Sequence, residues 1–150
     1  MKNLALSHTP PCMKEAFQKI LIVEDDPALS ELLKDVFEQC HYHCLFLPHT
    51  KEILKVVHDF QPELILLDYL LPLMNGEELC ARVKQNKSTC NIPVIIYSAF
   101  PQTLLPVEDF LCDVFIAKPF DLNGLLNQME KLVLRYRRNN RYGKTGIFPF

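Results

Sequence analysis

Residues 19–27 read KILIVEDDP. Ile20, Leu21, Ile22 and Val23 are apolar without interruption and rich in β-branched residues, the pattern of a short strand buried on both faces. The run stops at three consecutive acids, Glu24, Asp25 and Asp26. Pro27 suits the first position of a helix and Asp26 its N-cap. Leu29, Leu32, Leu33, Val36 and Phe37 then recur at helical spacing. Residues 19–37 therefore spell one strand-to-helix unit with an acidic turn between its halves.

The same grammar repeats along the chain. Cys44–Leu47 predicts a second strand, and Ile53, Leu54, Val57 and Phe60 share one face of a helix that Thr50 can cap and Pro62 stops. Leu64–Leu67 predicts a third strand ending in Asp68, followed by a loop with Pro72 and Gly76 and a helix carrying Leu79 and Val83. Val94–Tyr97 predicts a fourth strand ending at Ser98. Between residues 99 and 111, Pro101 and Pro106 leave room for only a short or irregular helix. Val114–Ile116 predicts a fifth strand before Lys118-Pro119. Asp121 caps a last helix with the stripe Leu122, Leu125, Leu126, Met129, Leu132, Val133 and Tyr136. Five such units, with strands apolar on both faces, imply an α/β fold: an open, doubly wound parallel sheet covered by helices on both sides. Residues 1–17, broken by Pro10-Pro11, form an N-terminal arm, residues 18–136 the domain, and residues 137–150 a basic C-terminal tail.

Composition narrows the function classes. The chain has 150 residues, 49% apolar and 23% charged, ordinary for one globular domain and wrong for disordered, collagen-like or coiled-coil proteins. The net charge of −2 hides an asymmetry: residues 1–130 sum to −8 and residues 131–150 to +6. An acidic body with a basic end is a poor start for a nucleic-acid-binding fold, so nucleic acid is not expected as a partner. The cations at the end are read as a solvated helix terminus. No apolar run approaches the roughly 20 residues of a membrane span, and the N-terminal apolar stretch is too short for a signal peptide. A cytoplasmic protein is expected, with its six cysteines reduced.

Two motifs mislead. Cys40-His41-Tyr42-His43-Cys44 offers four metal-type ligands but no second, separated pair, and it reads better as a helix end entering a strand. Gly143-Lys144-Thr145 mimics the end of a P-loop, but Arg138 stands where the earlier glycine is required.

In doubly wound sheets, sites form beyond the carboxyl ends of the strands. Here those ends carry Glu24, Asp25 and Asp26, then Asp68, then Ser98, with Lys118 after the fifth strand. Gathered carboxylates repel unless a cation lies among them, and oxygen ligands suit Mg²⁺. A phosphate-cradling loop would carry glycines rather than three acids at this place. A carboxylate beside Mg²⁺ and an ammonium can act as a nucleophile on phosphorus. In that reading Asp68 attacks a phosphoryl group and Lys118 offsets the developing charge. The Ser98 hydroxyl donates to a phosphoryl oxygen.

The motifs KILIVEDDP at 19–27, LILLDYLLPLMNG at 64–76, IPVIIYSAF at 92–100 and FIAKPF at 115–120 together resemble the receiver domains of bacterial two-component response regulators. The resemblance covers Gln18 to Tyr136. It implies a flavodoxin-like sandwich with strand order 2-1-3-4-5 and about five helices. It implies Asp68 as phosphoacceptor, and Glu24, Asp25, Asp68 and the backbone carbonyl of Leu70 as Mg²⁺ ligands. Ser98 matches the switch hydroxyl, Lys118 the phosphate-pairing lysine before a cis Pro119, and Phe115 the aromatic switch, for which plain core packing is the alternative. A sensor histidine kinase or phosphotransfer protein would donate the phosphoryl group, and a downstream protein would read the change. A homodimer on phosphorylation is compatible with the resemblance.

The sequence departs from the family pattern between Ser98 and Lys118, where the interval is short, holds two prolines and has Leu111 where glycine is frequent. Leu70 and Phe100, bulky and apolar, flank the path of attacking water, which predicts slow loss of phosphate. The 14 residues after Tyr136 are too few for an output domain, which suggests a stand-alone receiver or one cut from a longer protein. An aspartyl phosphatase is disfavoured because Leu70 stands where such enzymes place a second acid. A phosphate-independent adaptor is disfavoured by the full set Glu24, Asp25, Asp68, Ser98 and Lys118.

Overall fold

A computed structural model describes residues 19–145, with side chains to residue 141. Residues 1–17, assigned to an arm, lie outside the described residues. The elements are β1 (Lys19–Val23), α1 (Pro27–Gln39), β2 (His43–Leu47), α2 (Ile53–Phe60), β3 (Leu64–Asp68), α3 (Gly76–Gln85), β4 (Val94–Ser98), β5 (Val114–Ala117) and α4 (Leu122–Thr145). The strands form one parallel sheet in the order β2-β1-β3-β4-β5. Four α-helices are described rather than five. At the place of the fourth, two 3₁₀ turns occupy Gln102–Leu104 and Val107–Asp109, each opening directly after one of the prolines.

The central strands are buried on both faces, and the edge strands β2 and β5 only partly. Alternation of side chains divides the core in two. Ile20, Ile22, Leu64, Leu66 and Ile95 pack with Leu33 and Phe37 of α1 and with Leu125, Met129 and Val133 of α4. Leu21, Val23, Ile65, Leu67, Val94 and Ile96 pack with Ile53 and Val57 of α2 and Leu79 and Val83 of α3.

Two helix starts carry the caps expected from the sequence, and α3 carries one that was not expected. Asp26 accepts from the Ala28 amide with Pro27 opening α1, and Asp121 accepts from the Gly124 amide at the start of α4. Asn75 and Glu78 form a reciprocal capping box at α3. Thr50 behaves differently from expectation. Its hydroxyl accepts from the Glu52 amide in the preceding turn, and α2 begins at Ile53 with no side-chain cap. The last helix runs past Tyr136 through Thr145, so the basic stretch starts within a helix. Below the sheet, Lys84 reaches Asp113 at 2.8 Å and Tyr136 at 2.8 Å, and Tyr136 donates to Asp113, which ties α3, β5 and α4 together.

Residues 40–44 separate as a helix end running into a strand should. Tyr42 is buried while His41 and His43 are exposed, and Cys44 is a half-buried free thiol. Cys40 is disulfide-bonded, which corrects the expectation of six reduced cysteines at that position. The default to thiols came from the compartment inferred for the chain and from nothing local to Cys40.

Candidate functional site

The carboxyl ends of β1, β3 and β5 converge because parallel strands all run the same way. Glu24 follows β1, Asp68 ends β3, and Lys118 follows β5. The Lys118 ammonium lies 3.4 Å from Glu24 Oε2 and 3.4 Å from Asp68 Oδ2. One carboxylate oxygen from each of Glu24, Asp25 and Asp68 falls within 4.8 Å of the others. Among the described residues no other group of three His, Cys, Asp or Glu side chains is so gathered. Glu24 and Asp68 are buried and Asp25 is exposed, so the cluster has a dry floor and an open side.

Local hydrogen bonds fix these groups. The Asp26 amide donates to Glu24 Oε1 at 2.9 Å, and the Leu70 amide donates to Asp68 Oδ1 at 3.3 Å. Burial first, then the neighbouring Glu24 charge, push the Asp68 carboxyl up to about 7, with Lys118 acting in the opposite direction. A site of two buried carboxylates and one ammonium is short of positive charge, and every donor in it is oxygen. That donor set fits a hard divalent cation such as Mg²⁺.

A family model for the response regulator receiver domain matches residues 20–130. The chain belongs to that family. It is 35% identical over 118 residues to the phosphate regulon transcriptional regulatory protein PhoB of Pseudomonas aeruginosa, covering 77% of this chain and 52% of that protein. The receiver domain spans about half the length of the curated relatives it matches. Among solved structures, the signal receiver domain of a histidine kinase from Syntrophus aciditrophicus is 31% identical with a TM-score of 0.69, covering 79% of this chain and 90% of that one. The response regulator TrrA of Thermotoga maritima, solved in complex with Mg(2+)-BeF, shares the fold at 24% identity and a TM-score of 0.67, covering 77% of this chain and 98% of that one.

Within this receiver domain, Glu24, Asp25, Asp68 and Lys118 form one cluster, as read from the sequence. The Lys118-Pro119 peptide is cis. Asp26, read as a cap, is exposed and stands outside the cluster. Ser98 is fully buried at the end of β4, one residue beyond the Asp68–Tyr97 pair, and its Oγ accepts from the Phe100 amide at 2.9 Å. Phe115 is half-buried and lies 6.0 Å from Phe110, whose ring stacks on Tyr69 at 5.7 Å. An aromatic chain therefore leads from the residue after Asp68 to the segment that replaces the fourth helix.

Sequence reasoning missed the part played by Gly76. It opens α3, and its amide donates to the Tyr69 carbonyl at 2.9 Å. A Cβ built there would overlap the backbone carbonyl of Asp68. Only glycine lets α3 pass so near the candidate nucleophile. Gly76→Ala is expected to destabilise the domain by about 1–3 kcal/mol through overpacking against backbone. A urea midpoint equal to that of the parent would contradict this.

Proposed function

We propose that the receiver domain is a phosphoacceptor switch of a two-component phosphorelay, with Asp68 taking the phosphoryl group. The observation that carries this reading is a buried carboxylate at a strand end, flanked by two more carboxylates and by the Lys118 ammonium. Asp68 attacks the phosphorus of a phosphohistidine on a sensor histidine kinase or phosphotransfer protein. An O–P bond forms, the P–N bond breaks, and the leaving imidazole takes a proton from solvent. Glu24, Asp25, Asp68 and the Leu70 carbonyl would hold Mg²⁺, which supplies positive charge against the phosphoryl oxygens.

Lys118 then turns from the carboxylates to a phosphoryl oxygen. Ser98 donates its hydroxyl to another, and Phe115 turns inward as Ser98 moves. The change of surface is read by a downstream protein, with homodimerisation as one form of that reading. The domain spans residues 18–136, works in the cytoplasm and turns over no substrate beyond slow release of its own phosphate. Incubation with Mg²⁺ and acetyl phosphate should add one phosphoryl group by intact mass. Multiple turnover of small phosphate esters would favour a phosphatase instead, and no modification by any donor would favour an adaptor.

Release of phosphate should be slow. Leu70 is 50% exposed and Phe100 is 38% exposed, and their amides bond Asp68 and Ser98, so both bulky side chains stand at the rim of the site. Neither can orient an attacking water. The expected phosphoryl half-life matches that of a free acyl phosphate, and a half-life of seconds would overturn the argument.

A further inference from the structure

Residues 99–111, between β4 and β5, are held to the sheet chiefly at their two ends. Every one of them is exposed or half-buried, and neither 3₁₀ turn has a buried member. Leu104 is 69% exposed and Leu111 45%, so apolar burial along the segment is not what fixes it. The backbone hydrogen bonds of residues 101–110 close within the segment: Leu104 donates to Pro101, Leu105 to Gln102, Asp109 to Pro106 and Phe110 to Val107. At the head, the Phe100 amide donates to Ser98 Oγ at 2.9 Å. At the tail, the Phe110 ring contacts two others. It stacks on Tyr69 at 5.7 Å and 16°, and it lies 6.0 Å from Phe115. Of residues 99–111, Phe110 alone packs against the hydrophobic core, on the side of Leu67, Leu79 and Ile96.

We propose that Phe110 is a latch: its ring, held by Tyr69 and Phe115, keeps residues 99–111 against the sheet in the resting domain and frees them when Asp68 is phosphorylated. This rests on the phosphoacceptor reading of Asp68. Both ends of the segment are anchored on groups which that reading sets in motion. Ser98 moves to the phosphoryl group and draws away from the Phe100 amide. Phe115 turns inward, and a turn about χ1 carries its whole ring to another staggered position, away from Phe110. The stack on Tyr69 is then the one ring contact left, and it does not hold the segment alone. Head and tail therefore loosen in the same event. Pro101 and Pro106 leave no regular helix here to shift, so the response of the segment is release. A ring contact adds little beyond its burial, which keeps the latch weak enough for one phosphoryl group to open.

The test uses the whole chain, Mg²⁺ and beryllium fluoride as the phosphoryl mimic, read by amide hydrogen exchange and by binding of the mimic. In the parent, the mimic should speed exchange across residues 99–111 while β4 stays protected. Phe110→Ala should show that fast exchange without the mimic. It should also bind beryllium fluoride about fivefold more tightly, because the mimic no longer has to break the ring contacts. Phe110→Tyr keeps the ring and should match the parent in both measurements. A purely structural role for Phe110 gives a different result: exchange rises in β4 as well, and the mimic binds equally or more weakly. Equal or weaker binding by Phe110→Ala would overturn the latch and leave the phosphoacceptor reading standing. No binding by the parent would overturn that reading, and this proposal with it. Should Phe110→Ala not fold, the parent decides: faster exchange of residues 99–111 with the mimic supports the latch, and unchanged or slower exchange overturns it.

Discussion

Asp68→Asn takes up no phosphoryl group from acetyl phosphate or from a phosphorylated kinase in the presence of Mg²⁺. The amide oxygen of asparagine is a poor nucleophile and cannot form an acyl phosphate. The other acids cannot substitute. Glu24 is buried and clamped by the Asp26 amide on one oxygen and by Lys118 on the other. Asp25 is exposed, and no ion pair or hydrogen bond with Lys118 is among its contacts. The expected fall in rate is at least about a thousandfold, the order lost when a covalent nucleophile is removed from a charge-stabilised site. Intact mass after incubation measures it directly. Uptake at the parent rate would assign the nucleophile to another residue, and peptide mapping would find it.

The fold was legible because its strands advertise themselves. Ile20–Val23, Leu64–Leu67 and Val94–Tyr97 are unbroken apolar runs, and each stops at a polar residue that must face solvent or a site. A covered parallel sheet follows from that pattern, and the parallel direction alone brings Glu24, Asp68 and Lys118 to one rim. What was hidden depends on contacts distant in sequence or on forces other than apolar patterning. The Lys84–Asp113–Tyr136 network joins three elements that no local pattern connects. The apolar stripe of the last helix ends at Tyr136, yet the helix continues to Thr145, past the last residue that a packed face would mark in the sequence. Thr50 misled because α2 opens only at Ile53, so the amide its hydroxyl bonds, that of Glu52, lies ahead of the helix rather than in its first turn. Tyr97 lay inside an apolar run and read as one more core residue. Only the folded chain shows its ring under the Lys118 ammonium and its hydroxyl buried without a hydrogen-bond partner.

Asp68→Asn should also make the metal-free protein more stable at neutral pH while removing most of its stabilisation by Mg²⁺. An aspartate with an ordinary value of 3.8 in the unfolded chain rises to about 7 in the fold. Between those values the native state binds more protons than the unfolded state, so stability contributed by this group falls as pH rises. The loss begins above pH 4 and is complete above pH 7, where Asp68 is forced to ionise among Glu24 and low-dielectric surroundings. The penalty is on the order of 2–4 kcal/mol. Asparagine keeps the shape and sheds the charge, leaving the Glu24–Lys118 pair balanced. The thermal midpoint of the variant should therefore exceed the parent's by on the order of 5–10 °C at pH 7.5, with the gap closing towards pH 4. Mg²⁺ offsets most of this gap, because a cation that binds only the folded parent at a hundred times its dissociation constant adds about 2.7 kcal/mol, and the variant has lost one of three carboxylates. Melting curves of both proteins across pH 4–8, with and without Mg²⁺, measure all of this. A variant less stable than the parent at pH 7.5 without metal would show that Asp68 is net favourable in the resting fold and that Lys118 outweighs both burial and Glu24.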